Sequence, residues 1–138
     1  MSTIWILYNY DGIVEGVYTP EGKVRREQQM LDEALKRREH YNERLTKEIL
    51  ELKELRQPYI VEAELMLEEE RAAKEANHTG RLKAARKQRK ILLKQAEHLT
   101  FDIKRKEEEI LASQRLTKAD ILYRYHENFD WEEHYVME

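Results

Sequence analysis

The chain has 138 residues, of which 38% are charged, with a formal net charge of -3 and no cysteine. This length predicts a single domain, and the absence of cysteine excludes disulfides, thiolate metal sites and cysteine nucleophiles. The small net charge provides no overall attraction to nucleic acid or to acidic membranes, so any such attraction must be local.

Two antiparallel strands are predicted at the start of the chain. Residues 4–8 form an unbroken apolar, β-favouring run, which is typical of a strand covered on both faces. Asp11 and Gly12 then predict a hairpin turn, because both central turn positions tolerate positive φ. The second strand is predicted over residues 13–18, and Gly16 within it indicates a bulge or a close backbone contact.

A long helix is predicted next. Thr19, Pro20 and Glu21 have the residue types of an N-cap, a first helical position and an acid that faces the helix dipole. Apolar residues then recur at steps of three and four, and Arg38 and Glu48 interrupt the stripe that they form. The members of this stripe are Leu31, Ala34, Leu35, Tyr41, Leu45, Ile49, Leu52 and Leu55.

A proline and a turn come before the second long helix. Pro58 is expected to start, kink or break a helix, because its ring clashes with the preceding turn. Helix is predicted to resume up to about residue 76, and Asn-His-Thr-Gly at residues 77–80 predicts a turn. The return helix is predicted from about residue 81 to residue 114. Arg89 and Lys106 interrupt its apolar stripe, which consists of Leu82, Ala85, Leu92, Ala96, Leu99, Ile103 and Ile110.

Two short elements are predicted at the end of the chain. Thr117 and Asp120 have the spacing of a capping box with Asp in place of Glu, which predicts a helix through about Tyr125. Large apolar residues alternate along residues 129–137, which predicts a third strand. We expect this strand to join the first two, because an isolated two-stranded hairpin is only marginally stable.

Together these elements predict a mainly α fold with a small β base. A long, coiled-coil-like antiparallel helical hairpin, at about residues 36–114, is inserted between the N-terminal β-hairpin and the C-terminal strand. Residues 1–35 and 115–138 form the base of this single domain, 1–138. Because two helices cannot fully shield their apolar stripes, a homodimer through the helical hairpin, arranged as a four-helix bundle, is also expected.

The two helices carry opposite blocks of charge near their turn. If positions whose numbers add to about 157 face each other, the blocks neutralise each other and fix the register, with Glu69 opposite Gln88. In the alternative, the basic run faces solvent and binds nucleic acid. The acidic residues are Glu62, Glu64, Glu68, Glu69, Glu70 and Glu75; the basic residues are Arg81, Lys83, Arg86, Lys87, Arg89, Lys90 and Lys94.

No catalytic, cofactor-binding or metal site is predicted. The five histidines show no recognised metal-ligand spacing, and the sequence has no phosphate-binding glycine loop, nucleophile elbow or catalytic dyad. A helical hairpin also offers no deep pocket in which pKa values could be tuned. We therefore expect a protein that is not an enzyme and uses no cofactor. No signal-peptide pattern or membrane-spanning run is present, so the expected location is the cytoplasm.

Aromatic residues are concentrated near the two ends of the chain. They are expected to fill the core of the base, but they exceed what three strands can bury, so some should anchor a partner. Tyr59, Ile60, Leu65 and Met66 form a second candidate apolar patch. The predicted partner-binding residues are Trp5, Tyr10, Tyr59, Ile60, Met66, Tyr125, Phe129, Trp131 and Tyr135.

Both ends of the chain resemble small, uncharacterised bacteriophage proteins. Those proteins begin with a strand, an acidic-glycine turn and a second strand of Gly-Val-aromatic-Ser/Thr type that feeds a capped helix. Here the turn is Asp11-Gly12 and the second motif is Gly-Val-Tyr-Thr-Pro-Glu at residues 16–21. Many of them close with an acidic-aromatic strand, similar to residues 131–137 here, but they usually lack the long helical insertion. The resemblance implies a phage or mobile-element origin and transfers no catalytic residue.

The sequence therefore predicts a non-enzymatic protein–protein interaction module. Its expected role is that of a phage-encoded inhibitor or modulator of a host protein, in counter-defence or host takeover, acting in the host cytoplasm. One alternative is a nucleic-acid-binding or DNA-mimicking accessory protein. Another is a structural scaffold that assembles through the helical hairpin.

Overall fold

A computed structural model describes residues 2–126 and 129–137. The structure confirms the predicted fold class, with two long helices packed antiparallel and one small sheet. The chain divides into two compact units: Met1–Asn42 with Ala112–Glu138, here called the sheet unit, and Glu43–Leu111, the hairpin unit. The elements are β1 (Ser2–Tyr8), β2 (Val14–Tyr18), α1 (Pro20–Glu75), α2 (Thr79–Gln114), α3 (Lys118–Tyr125) and β3 (Asp130–Val136).

The predicted turn joins β1 and β2, but its geometry differs from the expected one. The amide of Gly12 donates to the carbonyl of Asn9, and the amide of Asn9 donates to the carbonyl of Ile13. Gly12 has a φ of 76°, whereas Asp11 does not have a positive φ. The loop is therefore a three-residue type with glycine at its left-handed position. The Asn9 side chain stabilises it by accepting from the amides of Asp11 and Ile13.

The sheet has the order β2-β1-β3, with both pairs antiparallel. The pairing of β1 with β2 shifts register between Leu7 and Tyr8, next to Gly16. A Cβ atom at Gly16 would lie 2.8 Å from the ring of Tyr18. The expectation of a bulge or close contact at Gly16 is thus confirmed, because the ring occupies the space that a larger residue would need.

One face of the sheet, here called the inner face, lies against the start of α1. It carries Trp5 and Leu7 of β1, Tyr18 of β2 and Trp131 of β3, which the strand register places side by side. Leu7 is completely buried, and the Nζ atom of Lys23 in α1 lies 4.1 Å from the ring centroid of Trp5. The opposite, outer face carries the apolar residues Ile4, Ile6, Tyr8, Val14, Val17 and Val136 and the polar residues Asp130, Glu132 and His134.

The helices of the sheet unit begin at the predicted caps. The hydroxyl of Thr19 accepts from the amide of Gly22, which caps α1, and the hydroxyl of Thr117 accepts from the amide of Asp120, which caps α3. A small core holds α3 against α1 through Leu31, Ala34 and Ile121, and the partly buried residues packed around it are Leu35, Leu116, Leu122 and Tyr125.

Within the hairpin unit, polar pairs cross between α1 and α2 along their apolar contact. Arg56 donates to the hydroxyl of Thr100 at 3.0 Å. The predicted register places residue 101 opposite Arg56, one position from this partner. Lys106 donates to Glu48 at 2.9 Å, so two of the charges that interrupt the apolar stripes pair with each other. The buried apolar residues are Leu45, Ile49, Ala63 and Ala73 in α1 and Ala85, Leu92, Ala96 and Ile103 in α2.

The turn between α1 and α2 lies where the sequence predicted it. Asn77 takes the left-handed conformation, with a φ of 52°, and the amide of His78 donates back to the carbonyl of Ala73. These are the features of a Schellman C-cap. His78 also caps the next helix, because its Nδ1 atom accepts from the amide of Arg81. As a result α2 begins at Thr79, about two residues before the predicted start.

One prediction about α1 was wrong: Leu55 was placed on the apolar stripe, but it is 60% exposed, and the half-buried position next to it is Arg56. Pro58 was expected to start, kink or break a helix; α1 continues through it, so Pro58 neither starts nor breaks a helix. Pro58 is exposed, so water can hydrate the carbonyl group of Glu54 that the missing amide leaves without a helical donor.

Candidate partner-binding site

The sheet unit contains an open groove of about 670 Å³ between the β1–β2 turn, the first part of α1, α3 and the start of β3. This volume is within the range of protein ligand pockets. Most of its lining is large and apolar. We call it the aromatic groove; it is lined by Tyr10, Glu27, Met30, Ala119, Leu122, Tyr123, Phe129, Asp130 and Trp131.

One wall of the aromatic groove is held in place by contacts to Trp131. Its ring makes an edge contact with Tyr18, with centroids 5.5 Å apart, and the Lys23 ammonium lies 5.5 Å from its centroid. Lys23 is itself fixed by Glu27, with the Nζ and Oε1 atoms 2.9 Å apart. Cation–π and edge contacts of this kind position the indole ring before any partner arrives.

The groove also has exposed aromatic side chains and a free negative charge. Tyr10 is 79% exposed and Tyr123 is 76% exposed. Within residues 2–126 and 129–137, the exposed carboxylate of Asp130 has no ion pair. Exposed Tyr and Trp side chains are common anchors of protein interfaces. The groove therefore offers apolar area together with an attraction for basic groups.

Polar contacts behind the groove join the end of α3 to α1. The Nε2 atom of His126 lies 2.9 Å from the Oε2 atom of Glu33, and Arg37 donates to the carbonyl of Tyr125. The hydrogen bond with His126 lowers the pKa of the Glu33 carboxyl below its ordinary value. The ring of His126 also packs against Phe129, with centroids 5.2 Å apart. These contacts fix Phe129 in the groove lining.

The structure brings only some of the predicted partner-binding residues together. Tyr10, Phe129 and Trp131 line the groove, whereas Trp5 lies under Lys23 and Tyr125 packs against the core of the sheet unit. Tyr135 is 66% exposed but outside the groove. Tyr59, Ile60 and Met66 are half-buried in the hairpin unit, and Leu65 is exposed there.

Comparisons with known proteins give no relative. No family model, no curated protein and no solved structure matches this chain. The groove must therefore be interpreted from its own residues. In the part of the chain that the structure describes, no group of His, Cys, Asp and Glu residues could hold a metal ion, and no helix is long and apolar enough to cross a membrane.

The charge blocks near the helical turn pair with each other across the hairpin as expected, but they neutralise each other only in part. Three ion pairs cross between the blocks: Glu69 with Arg81, and Glu70 with Arg86 and Arg89. Glu69 thus pairs with Arg81, whereas the predicted register placed it opposite Gln88. Among the described residues, the remaining basic side chains have no ion pair; they are Lys83, Lys87, Lys90 and Lys94.

These four lysines form a stripe on α2, here called the lysine stripe. Their spacing of four, three and four residues places them on one side of the helix, and all four are exposed. Like charges at these spacings repel, and α2 has no acidic residue in its first turn to oppose the helix dipole. The lysine stripe therefore lowers the stability of α2.

Proposed function

We propose that this protein is a non-enzymatic protein-binding module whose contact surface is the aromatic groove. The observation that carries the proposal is the exposure of Tyr10 and Tyr123 at the edge of a groove whose deeper wall, Trp131, is already fixed. A preformed wall lowers the entropy cost of binding, and exposed tyrosines add contact area with few rotatable bonds. Asp130 adds a preference for a partner with a basic residue beside its apolar anchor.

Replacing Tyr123 by alanine tests this surface. We expect Tyr123→Ala to weaken the complex with the cellular partner about tenfold or more, because interface tyrosines often contribute over 1 kcal/mol. Tyr135→Ala is the matched control, since Tyr135 is similarly exposed but lies outside the groove. The partner would be captured from host lysate with the tagged chain, identified, purified and titrated. Equal affinity of both variants would argue against the groove.

The proposed biological role follows from the resemblance at the two ends of the chain. If the chain is phage-encoded, its partner is a host protein, and the simplest effect of an occupied groove is inhibition or redirection of that protein in the host cytoplasm. A homodimer through the helical hairpin and a scaffold role are further proposals. Light scattering over a range of concentrations would distinguish a monomeric inhibitor from either of them.

The lysine stripe supports nucleic-acid binding as a second candidate function. Lys83, Lys87, Lys90 and Lys94 are exposed and have no ion pair in the described part of the chain. A row of free lysines can bind a phosphate backbone, with release of its counterions. The exposed glutamates of α1 oppose this function, because they lie on the other helix of the same hairpin unit.

Salt dependence tests the second candidate. If the stripe binds duplex DNA through about four phosphates, the logarithm of the association constant should fall with the logarithm of salt concentration with a slope of about -3 to -4. Replacing all four lysines by glutamine should abolish binding in a gel shift. A control with glutamine at Lys36, Lys47, Lys104 and Lys118 should retain it, since these lysines are exposed elsewhere. No binding of the unaltered chain at low salt would eliminate this candidate.

A further inference from the structure

The outer face of the sheet carries an apolar patch that is half-buried at its centre and exposed at its edges. Its apolar residues are Ile4, Ile6 and Tyr8, which are half-buried, and Val14, Val17 and Val136; the same face also carries the polar residues Asp130, Glu132 and His134 of β3. Val17 is 60% exposed, Val14 is 51% exposed and Val136 is 41% exposed. Lys23 lies over the opposite face, on Trp5 and Trp131, so the first part of α1 does not cover the outer face.

The partial exposure of this face differs from the covering on both faces that the sequence of β1 predicts. β1 is apolar on both sides, as are strands that are covered on both faces. Sheets bury their apolar faces against another layer, and a contiguous exposed apolar patch usually marks an interaction site. The apolar residues of the outer face therefore remain partly exposed, although their composition predicts a covering layer.

The charge around the outer face identifies the kind of partner. The three strands and the β1–β2 turn contain five acidic residues and no lysine or arginine; the acids are Asp11, Glu15, Asp130, Glu132 and Glu133. By strand register, Asp130 and Glu132 lie on the outer face itself, whereas Glu133 lies on the inner face. The carboxylate of Glu132 is 2.7 Å from His134. A second copy of the chain would bring a second set of carboxylates against the first. The occupant must instead be basic at its edges and apolar at its centre.

The dimensions of the face fit one helix. Three strands at the usual spacing give a surface about 14 Å wide and about 20 Å long. A helix with its side chains is about 10 Å across, and about 15 residues span that length. We propose that the outer face of the sheet binds an amphipathic helix of a partner protein, with lysine or arginine residues on both sides of its apolar stripe. This surface lies on the opposite side of the sheet from Trp131 of the aromatic groove and shares Asp130 with it, but it does not depend on the function proposed for the groove.

Model peptides test this inference even while the partner protein is unidentified. The probe is a fluorescent amphipathic helix of about 15 leucine and lysine residues, titrated with the full chain and followed by anisotropy. We expect saturable one-to-one binding. A scrambled peptide of the same composition should bind at least about tenfold more weakly, because it has the charge without the apolar stripe. A leucine–glutamate peptide of the amphipathic pattern should not bind.

Substitutions then locate the binding surface. Val17→Lys should weaken binding of the amphipathic peptide at least about tenfold, because it places a charge on the apolar face. Val24→Lys is the matched control, since Val24 is 65% exposed on α1, and it should leave binding unchanged. Val136→Lys, at the other edge of the sheet, should repeat the effect of Val17→Lys, and circular dichroism would verify that each variant is folded.

Three results would overturn the inference. The first is equal binding of the scrambled peptide, which would indicate attraction by charge alone. The second is unchanged binding by both Val17→Lys and Val136→Lys, which would place the peptide elsewhere. The third is loss of peptide binding in Tyr123→Ala, which would assign the peptide to the aromatic groove.

Discussion

Replacing Glu70 by alanine should lower the free energy of unfolding by about 2–3 kcal/mol. Glu70 is buried, only 7% exposed, on the side of α1 that faces α2. Its carboxylate forms ion pairs with Arg89, at 2.6 Å, and with Arg86, at 3.4 Å. Loss of one partner from a buried pair typically costs about 3–5 kcal/mol. We expect less here because a third of the Arg89 side chain reaches water. Urea denaturation followed by circular dichroism measures the change.

The neighbouring Glu69 provides the control for this prediction. Glu69 pairs with Arg81 at 2.8 Å, but both side chains are about 40% exposed. Exposed pairs contribute roughly 0–1 kcal/mol, so Glu69→Ala should have a much smaller effect. The two substitutions remove the same group from adjacent positions, and the difference between them isolates the effect of burial.

A double substitution tests whether the buried charge itself is the cause. When Glu70 and Arg89 are both replaced by leucine, the buried charge and its half-buried partner are removed together, and Arg86, which also loses Glu70, is exposed to water. Such replacements are often neutral or stabilising, so this variant should unfold within about 1 kcal/mol of the unaltered chain. If the double variant lost as much free energy of unfolding as Glu70→Ala, the ion pair would stabilise the fold more than two leucines at these positions do.

The interruptions of the apolar stripes proved as informative as the stripes themselves. Glu48, Arg89 and Lys106 were recognised from the sequence as breaks in the pattern. In the structure Glu48 binds Lys106 and Arg89 binds Glu70, and the contact with Lys106 lowers the pKa of the Glu48 carboxyl. Periodicity predicts which side of a helix is buried, but not which charged residues at that boundary find each other.

The aromatic groove shows what the sequence could not supply. Tyr10, Phe129 and Trp131 were predicted as partner contacts because large aromatics near both ends exceed what the base can bury. Met30 and Leu122 also line the groove, but they were not predicted as partner contacts. The apolar pattern of a helix predicts that a side chain is buried, but not that it borders a groove. Their roles depend on how α1, α3 and β3 meet in space. That arrangement results from contacts between distant parts of the chain, such as Glu33 with His126.

Pro58→Ala should raise the free energy of unfolding by about 2 kcal/mol. A proline inside a helix costs about 3 kcal/mol relative to alanine, and the greater freedom of the unfolded alanine chain offsets up to about 1 kcal/mol of that gain. The substitution restores the amide that can donate to the carbonyl of Glu54. Urea denaturation of the full chain measures the difference, and Gln57→Ala, at the adjacent exposed position, should change stability by less than about 0.5 kcal/mol.

A result opposite to the one expected for Pro58→Ala would also have a structural interpretation. If Pro58→Ala left stability unchanged or lowered it, the packing of α2 against α1 would depend on the backbone geometry that proline imposes, because nothing else about this exposed side chain would be lost. The stabilising outcome would mean that α1 tolerates a costly residue in its interior. The affinity of Pro58→Ala for the partner would then show whether the proline contributes to binding. Weaker binding by this variant would mean that Pro58 shapes the contact surface.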